Sequence, residues 1–132
     1  YNHADLSEMR LAPCAYSMTF NVSGNKLNAI LNQRSQDMLT ANNWNVCQYA
    51  ALLIMFAKSS GFEPGELVHV IADAHIYDRH IDAVKRLIEK KPYPAPEMQV
   101  EDITDFYKFT KNSFTAVDYK YHEFTDKIPV AI

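Results

Sequence analysis

The 132-residue sequence is poor in cysteine, has no long apolar run and carries no excess of basic residues. Two cysteines, Cys14 and Cys47, are too few for a disulfide framework, although a single bridge between them stays open. Free thiols in this number are more typical of a cytoplasmic protein. Neither cysteine stands at zinc-ligand spacing from a histidine, so we expect no metal.

The longest apolar stretch, "AALLIMFA" at 50–57, is too short to span a bilayer. The formal net charge of -3 and the sequence pI of about 5.9 match general nucleic-acid binding poorly, since binding domains of that kind are usually basic. No charged segment followed by an apolar run of the signal-peptide type opens the sequence. We therefore expect a cytoplasmic protein with a single domain over 1–132.

Period-2 alternation marks the first part of the chain as a hairpin. Apolar and polar residues alternate over about 15–22, which predicts a half-buried strand. Gly24 and Asn25 tolerate positive φ and predict a tight turn into a second strand at about 26–34, whose two faces are both expected to be partly covered. The β-branched run "ELVHVIAD" at 66–73 predicts a further strand buried on both faces.

Apolar residues at helical spacing predict a helix over 43–59. Asn42 or Asn43 could cap its start and Gly61 could end it. The stretch "FEPGE" at 62–66 predicts a turn between this helix and the strand that follows.

A second helix is predicted at about 79–91, with Asp78 as its cap. Its apolar stripe consists of Ile81, Val84, Leu87 and Ile88. Shorter elements are expected elsewhere: a loop or short turn over 1–10, strands at 97–100 and 114–121, and a helical turn near 102–109. Strands mixed with two helices predict an α/β or α+β protein with a mixed sheet packed against helices.

The residues that could carry chemistry begin at the predicted hairpin. Cys14 is either a nucleophile or a buried structural cysteine, because a thiol reacts only where its thiolate is stabilised. Arg34 calls for an anion, and Ser35 adds a hydroxyl donor beside it. Asp37 could instead form an ion pair with Arg34. Because the hairpin joins the two strands, Cys14 and Arg34 are expected at the same end of it.

Polar side chains also follow the later elements. One of the asparagines at the start of the first helix could present its amide to a heterocycle, although helix capping is the usual role there. His75 and Tyr77 follow the buried strand with one parity and could bind ligand hydroxyls, or form a surface pair. Three further residues are expected to be structural: Cys47 in the core, His80 at the helix start, and His69 in the core or an interface.

Six motifs, in order, resemble the C-terminal half of the thymidylate synthase family: "APC", "QRSQDM", "WNV" followed by "QYA", "DAHIYDRHI", "KPYPAP" and the terminal "PVAI". They extend over essentially the whole chain. The resemblance implies a methyltransferase that converts dUMP to dTMP. The co-substrate 5,10-methylenetetrahydrofolate would supply both the carbon and the hydride, through a covalent bond between Cys14 and C6 of uracil.

Roles for the matching residues are implied by the same resemblance. Arg34 would bind the dUMP phosphate with Ser35 and favour the Cys14 thiolate, and Gln33 would lie at the nucleotide. The other implied contacts are Asp37 to the folate pterin, Asn45 to the uracil edge, His75 and Tyr77 to the deoxyribose 3′-hydroxyl, and Ala131 with Ile132 over the folate. A homodimer through the back of the sheet is implied as well.

Some positions depart from the family pattern. Ala15 stands where a histidine is common, Ala72 precedes Asp73 where glycine is common, and "NWN" at 43–45 replaces "PFN". Family members are considerably longer, so we expect a fragment of a full synthase that is inactive or weakly active alone and exposes an apolar surface. A deoxyuridylate hydroxymethylase and a non-catalytic nucleotide-binding module stay open as alternatives.

Overall fold

The computed structural model describes residues 2–130, which form two compact units. The first unit ends at His75 and the second begins at Ile76. In chain order, the first unit contains a 3-10 helix (His3–Glu8), β1 (Ala15–Ser23), β2 (Lys26–Gln33), β3 (Gln36–Asp37), α1 (Asn42–Ser59), β4 (Glu63–Ile71) and β5 (Ala74–His75). The expectation of one domain stays a prediction, since two compact units can belong to one domain.

A three-stranded mixed sheet forms the centre of the first unit, in the order β1-β2-β4. β1 and β2 are antiparallel, and β2 and β4 are parallel. The tight turn between Ser23 and Lys26 contains Gly24, whose φ of 60° suits glycine. The predicted hairpin is therefore confirmed, with strand bounds within about one residue of those expected, but β1 is mostly exposed instead of half-buried.

Helix α1 covers one face of this sheet. Alternate residues of β2, Leu27 and Ala29, pack with Leu53 and Ala57 of the helix to form the buried core. At the edge of the core the rings of Phe20 and Phe56 meet edge to face, with centroids 5.1 Å apart. The period-2 pattern of the strand and the 3.6-residue pattern of the helix thus bury matching apolar surfaces.

The C-terminal end of α1 was predicted correctly, but the residue that caps its N-terminus was not. Gly61 has a φ of 74°, and the Phe62 N–H donates to the Ala57 carbonyl at 2.9 Å, which is a Schellman ending. The proposed caps Asn42 and Asn43 are wrong, because both lie inside the helix and Ala41 precedes it without a side-chain cap bond.

The other face of the sheet is exposed, which makes the prediction of a strand buried on both faces wrong. Val68 and Val70 of β4 are 48% and 47% exposed, and Ile30 of β2 is 44% exposed. The physical reason is that α1 covers only one face, so residues of the opposite parity face outward. The partial cover expected for both faces of β2 is confirmed, since Asn28 and Asn32 on the outer face are partly buried.

The turn predicted at 62–66 is also wrong, because β4 already begins at Glu63. The pairing of β2 with β4 shifts register between Leu27, which faces Pro64, and Ala29, which faces Leu67, so β4 contains a bulge at 65–66. At this bulge the Glu66 N–H donates to Asn28 Oδ1 at 2.9 Å. Irregular pairing therefore replaces the expected turn.

The second unit contains, in order, a 3-10 helix (Asp78–His80), α2 (Ile81–Ile88), β6 (Glu97–Val100), two 3-10 helices (Phe106–Lys108 and Lys111–Ser113) and β7 (Phe114–Val117). α2 is shorter than predicted, and Asp78 forms no side-chain cap because the chain enters through the 3-10 turn. β6 and β7 pair antiparallel. β7 stops before Asp118, whose φ is 57°.

Residues 122–130 are tied to α2 and its approach by side chains. Arg86 pairs with Asp126 at 2.9 Å, and this hydrogen bond raises the pKa of Arg86. The side chains of Arg79 and His80 donate to the carbonyls of Val130 and Pro129, at 2.8 and 2.9 Å. His80 is buried, which confirms its predicted structural role. Among residues 2–130, neither α-helix is long and apolar enough to cross a membrane.

Candidate active site

The start of β1 and the end of β2 bring Cys14 and Arg34 together. The Arg34 backbone N–H donates to the Cys14 carbonyl at 2.9 Å, which extends the antiparallel pairing past Ala15. Cys14 is a free, partly buried thiol at this edge. The prediction that the hairpin places these two residues at one end is confirmed.

The Arg34 guanidinium lies over the segment that leads to the cysteine. It donates to the carbonyl of Ala12 at 2.6 Å, two residues before Cys14. The residue is exposed. A guanidinium carries five N–H donors in a planar fork, so this bond leaves donors that can bind an anion.

A buried polar network lies behind this edge. Gln33 is 2% exposed, and its Nε2 donates to the Ser35 carbonyl at 2.8 Å and to Gln36 Oε1. Its Oε1 lies 2.9 Å from His69 Nε2 of β4. His69 is thus a hydrogen-bonded, partly buried histidine, as predicted. Gln36 was not predicted as part of the site, although its position three residues after Gln33 in the "QRSQDM" motif was a signal.

Asp73 connects two predicted binding residues. Its Oδ2 lies 3.5 Å from Ser35 Oγ and 3.3 Å from His75 Nδ1. The short parallel pair of β3 and β5 sets this arrangement, with the Gln36 N–H donating to the Asp73 carbonyl at 2.9 Å. Asp73 was noted only as part of a motif, because its partners come from distant parts of the sequence.

Asp37 organises the turn that enters α1. Its Oδ1 accepts from the N–H groups of Leu39 and Thr40, at 2.9 and 3.2 Å, and its Oδ2 accepts from the Thr40 hydroxyl at 2.5 Å. These bonds form an Asx-type turn, a structural role that was not predicted for Asp37.

The first turns of α1 carry Asn45 and Cys47. Asn45 is partly buried, and its backbone N–H donates to the Ala41 carbonyl at 3.1 Å. Cys47 is exposed, so its prediction as a core residue is wrong. It lies roughly 120° around the helix axis from the buried Leu53 and therefore turns away from the sheet.

Two sets of predicted residues are left untested by the contacts of the first unit. Tyr77 belongs to the second unit, where it is 40% exposed and its ring meets that of His80 at 5.6 Å. Its joint action with His75 stays a prediction. Ala131 and Ile132 lie outside the described residues. From residue 2 to residue 130, no group of three or more His, Cys, Asp or Glu side chains could hold a metal ion.

These observations define an α/β protein whose mixed sheet presents a thiol and a guanidinium on adjacent strand ends. The family model described as thymidylate synthase matches residues 1–132. The chain therefore belongs to the thymidylate synthase family.

Individual relatives agree with this assignment. The thymidylate synthase of Bacillus phage phi3T is 39% identical over 122 residues, which are 92% of this chain and 44% of the relative. The bifunctional dihydrofolate reductase-thymidylate synthase of Paramecium tetraurelia is 37% identical over 93% of this chain and 27% of its own length.

The solved structure of a thermostable thymidylate synthase A from Bacillus subtilis superimposes with a TM-score of 0.86 at 37% identity. The match covers 100% of this chain and 47% of that one. The predicted fold class is thereby confirmed. The chain spans about half the length of the synthases of Bacillus and its phage that it matches.

Proposed function

We propose that this chain carries the nucleophile and the nucleotide-binding side of a thymidylate synthase. The reaction is the methylation of dUMP to dTMP, with 5,10-methylenetetrahydrofolate as the donor of carbon and hydride. One observation supports it above the others: Cys14, a free thiol, and Arg34 lie at one edge of the sheet, where the Arg34 backbone N–H donates to the Cys14 carbonyl at 2.9 Å. A cationic side chain near a thiol favours the thiolate, which is the nucleophilic form.

In the proposed reaction the Cys14 thiolate adds to C6 of uracil, and C5 becomes a nucleophile. C5 then forms a bond to the one-carbon unit of the folate. Loss of the C5 proton, elimination of tetrahydrofolate and transfer of its hydride to the new carbon follow. Release of the thiolate gives dTMP and dihydrofolate. Covalent attachment divides one difficult substitution into easier steps.

Nucleotide recognition is assigned to six residues whose motifs resemble those of the family. Arg34 and Ser35 bind the phosphate, since a guanidinium and a hydroxyl supply directed donors to an anion. Gln33 supports them from the buried side, where its Nε2 donates to the Ser35 carbonyl. Asn45 reads the uracil edge with its amide, which offers a donor and an acceptor side by side. His75 and Tyr77 bind the deoxyribose 3′-hydroxyl.

The folate side is assigned to Asp37, Ala131 and Ile132, by the resemblance of their motifs to those of the family. Asp37 binds the pterin ring, and the last two residues cover the folate and exclude water. The reaction as proposed uses no metal ion.

We further propose that the chain corresponds to the C-terminal half of a synthase. The order of its motifs and its 44% share of the phage relative support this placement. The exposed apolar face formed by Ile30, Val68 and Val70 supports a homodimer through the back of the sheet. The paucity of cysteine supports a cytoplasmic location. Alone, the chain is inactive or only weakly active.

The direct test is the intact mass of the chain after incubation with 5-fluoro-dUMP and methylenetetrahydrofolate. The measurement is made with and without an added N-terminal half from a family member. A mass gain equal to both ligands, absent in Cys14→Ser, is expected in at least the complemented sample. No adduct in either sample would count against the synthase assignment and favour a non-catalytic nucleotide-binding module.

A further inference from the structure

We propose that His69 is a positioning residue for the phosphate-binding pair Arg34 and Ser35, acting through the buried side chain of Gln33. This inference rests on the proposed function for its ligand, dUMP, but the hydrogen bonds that support it do not depend on which ligand is bound. His69 lies on β4, whereas Arg34 and Ser35 follow β2.

The amide of Gln33 has a fixed orientation. Its Nε2 faces two acceptors, the Ser35 carbonyl and Gln36 Oε1, so a rotated amide would place an oxygen against both. Its Oε1 must therefore point at His69 Nε2, 2.9 Å away, and that nitrogen must carry a hydrogen. His69 thus donates to Gln33, whether the ring is neutral or protonated.

The loop beyond Gln33 depends on this amide. β2 ends at Gln33, the chain bends at Arg34, and β3 begins at Gln36. Within this bend the Gln33 amide holds the Ser35 carbonyl from the buried side. Because the same peptide segment carries the side chains of Arg34 and Ser35, holding the Ser35 carbonyl restrains the backbone from which both side chains extend.

Loss of the histidine donor would leave the buried Gln33 Oε1 without this hydrogen bond. Gln33 is only 2% exposed, so its Oε1 would lack the Nε2–H donor and would have little access to water. The amide would rotate or shift to find another donor, which would release the Ser35 carbonyl. His69→Phe removes the donor at similar volume, and His69→Gln retains an N–H at a similar distance from the backbone.

The first measurement needs no ligand and no variant. Long-range proton–nitrogen NMR correlations of the chain report which nitrogen of the His69 ring carries the hydrogen. We expect the neutral ring to be protonated at Nε2. A ring protonated only at Nδ1 would overturn the proposal, even if every variant failed to fold.

The second measurement compares variants by amide hydrogen exchange and by dUMP titration. In His69→Phe we expect faster exchange at Gln36 and roughly tenfold weaker dUMP binding, with both restored at least in part by His69→Gln. Leu67→Ala is the matched control, since it removes packing from the same face of β4. After correction for any change in the free energy of unfolding, the exchange rate at Gln36 should be the same as in the unmodified chain.

Each outcome has a separate meaning. If the unmodified chain and its complemented form bind no dUMP, the proposed function fails, while Gln36 exchange still decides the positioning role. If His69→Phe alters neither exchange nor binding, His69 has no positioning role. If His69→Gln is as impaired as His69→Phe, the donated hydrogen is not what matters and the proposal is wrong.

Discussion

Single residues of the candidate site have structural as well as proposed chemical roles. Asp37 is the clearest case, because both of its carboxylate oxygens accept hydrogen bonds from the turn before α1. A variant of such a residue can lose activity simply by losing the turn. Any test of its proposed contact with the folate has to separate these two effects.

We predict that Asp37→Ala lowers the free energy of unfolding by about 1 kcal/mol, since it removes an Asx-type acceptor from two backbone N–H groups. Asp37→Asn should lose less, because its side-chain oxygen can still accept those bonds. Urea unfolding of both variants measures the difference.

Folate binding then distinguishes the roles. If Asp37→Asn keeps its stability but binds folate weakly in the complemented enzyme, the negative charge acts on the ligand. Equal stability of Asp37→Ala and the unmodified chain would contradict the structural role assigned to this side chain.

At the level of secondary structure, the sequence predicted an element well where the signal for it lies within the segment itself. The hairpin of β1 and β2 and the Gly61 ending of α1 are both confirmed, because turn glycines and periodicity are properties of the segment itself. The burial of β4 was predicted wrongly, since a β-branched run shows the preference for a strand but not how many layers cover it.

The candidate site shows the same division. The contact between the strand ends that carry Cys14 and Arg34 followed from the hairpin and could be predicted. The links of His69 to Gln33 and of Asp73 to Ser35 could not, because they span 36 and 38 residues of sequence and depend on the pairing of parallel strands. Long-range polar contacts leave no local pattern in a single sequence.

The bulge in β4 provides a prediction at this scale. A Cβ at Gly65 would overlap with Asn28 Oδ1 and lie 2.9 Å from the Leu27 carbonyl oxygen. Asn28 cannot move aside freely, because its Oδ1 accepts the Glu66 N–H. We expect Gly65→Ala to destabilise the chain by about 2–3 kcal/mol.

Gly61→Ala is the matched control for this substitution. Its φ of 74° strains alanine, but a Cβ there meets nothing within 4 Å. Its cost should therefore stay near 1 kcal/mol. Thermal or urea unfolding of the two variants compares them, and a Gly65→Ala variant as stable as Gly61→Ala would show that the bulge can rearrange.

At the level of the whole molecule, the two faces of the sheet in the first unit differ in exposure. One face is covered by α1, while the other presents Ile30, Val68 and Val70 at exposures between 44% and 48%. Three branched apolar side chains on adjacent parallel strands form an apolar surface whose contact with water is unfavourable. A second copy of the chain, meeting this surface with its own, would remove it from water in both copies.

We therefore predict that Val70→Lys abolishes the dimer and leaves the fold intact. The side chain is already 47% exposed, so a lysine there should change the free energy of unfolding of the isolated chain by no more than about 0.5 kcal/mol. In a dimer the same ammonium group would be desolvated. Val22→Lys is the matched control, because Val22 is 49% exposed and its register partner is the buried Leu27 on the α1 side. Sedimentation equilibrium should show a dimer for the unmodified chain and Val22→Lys, and a monomer for Val70→Lys; a monomeric unmodified chain would reject the proposed use of this face.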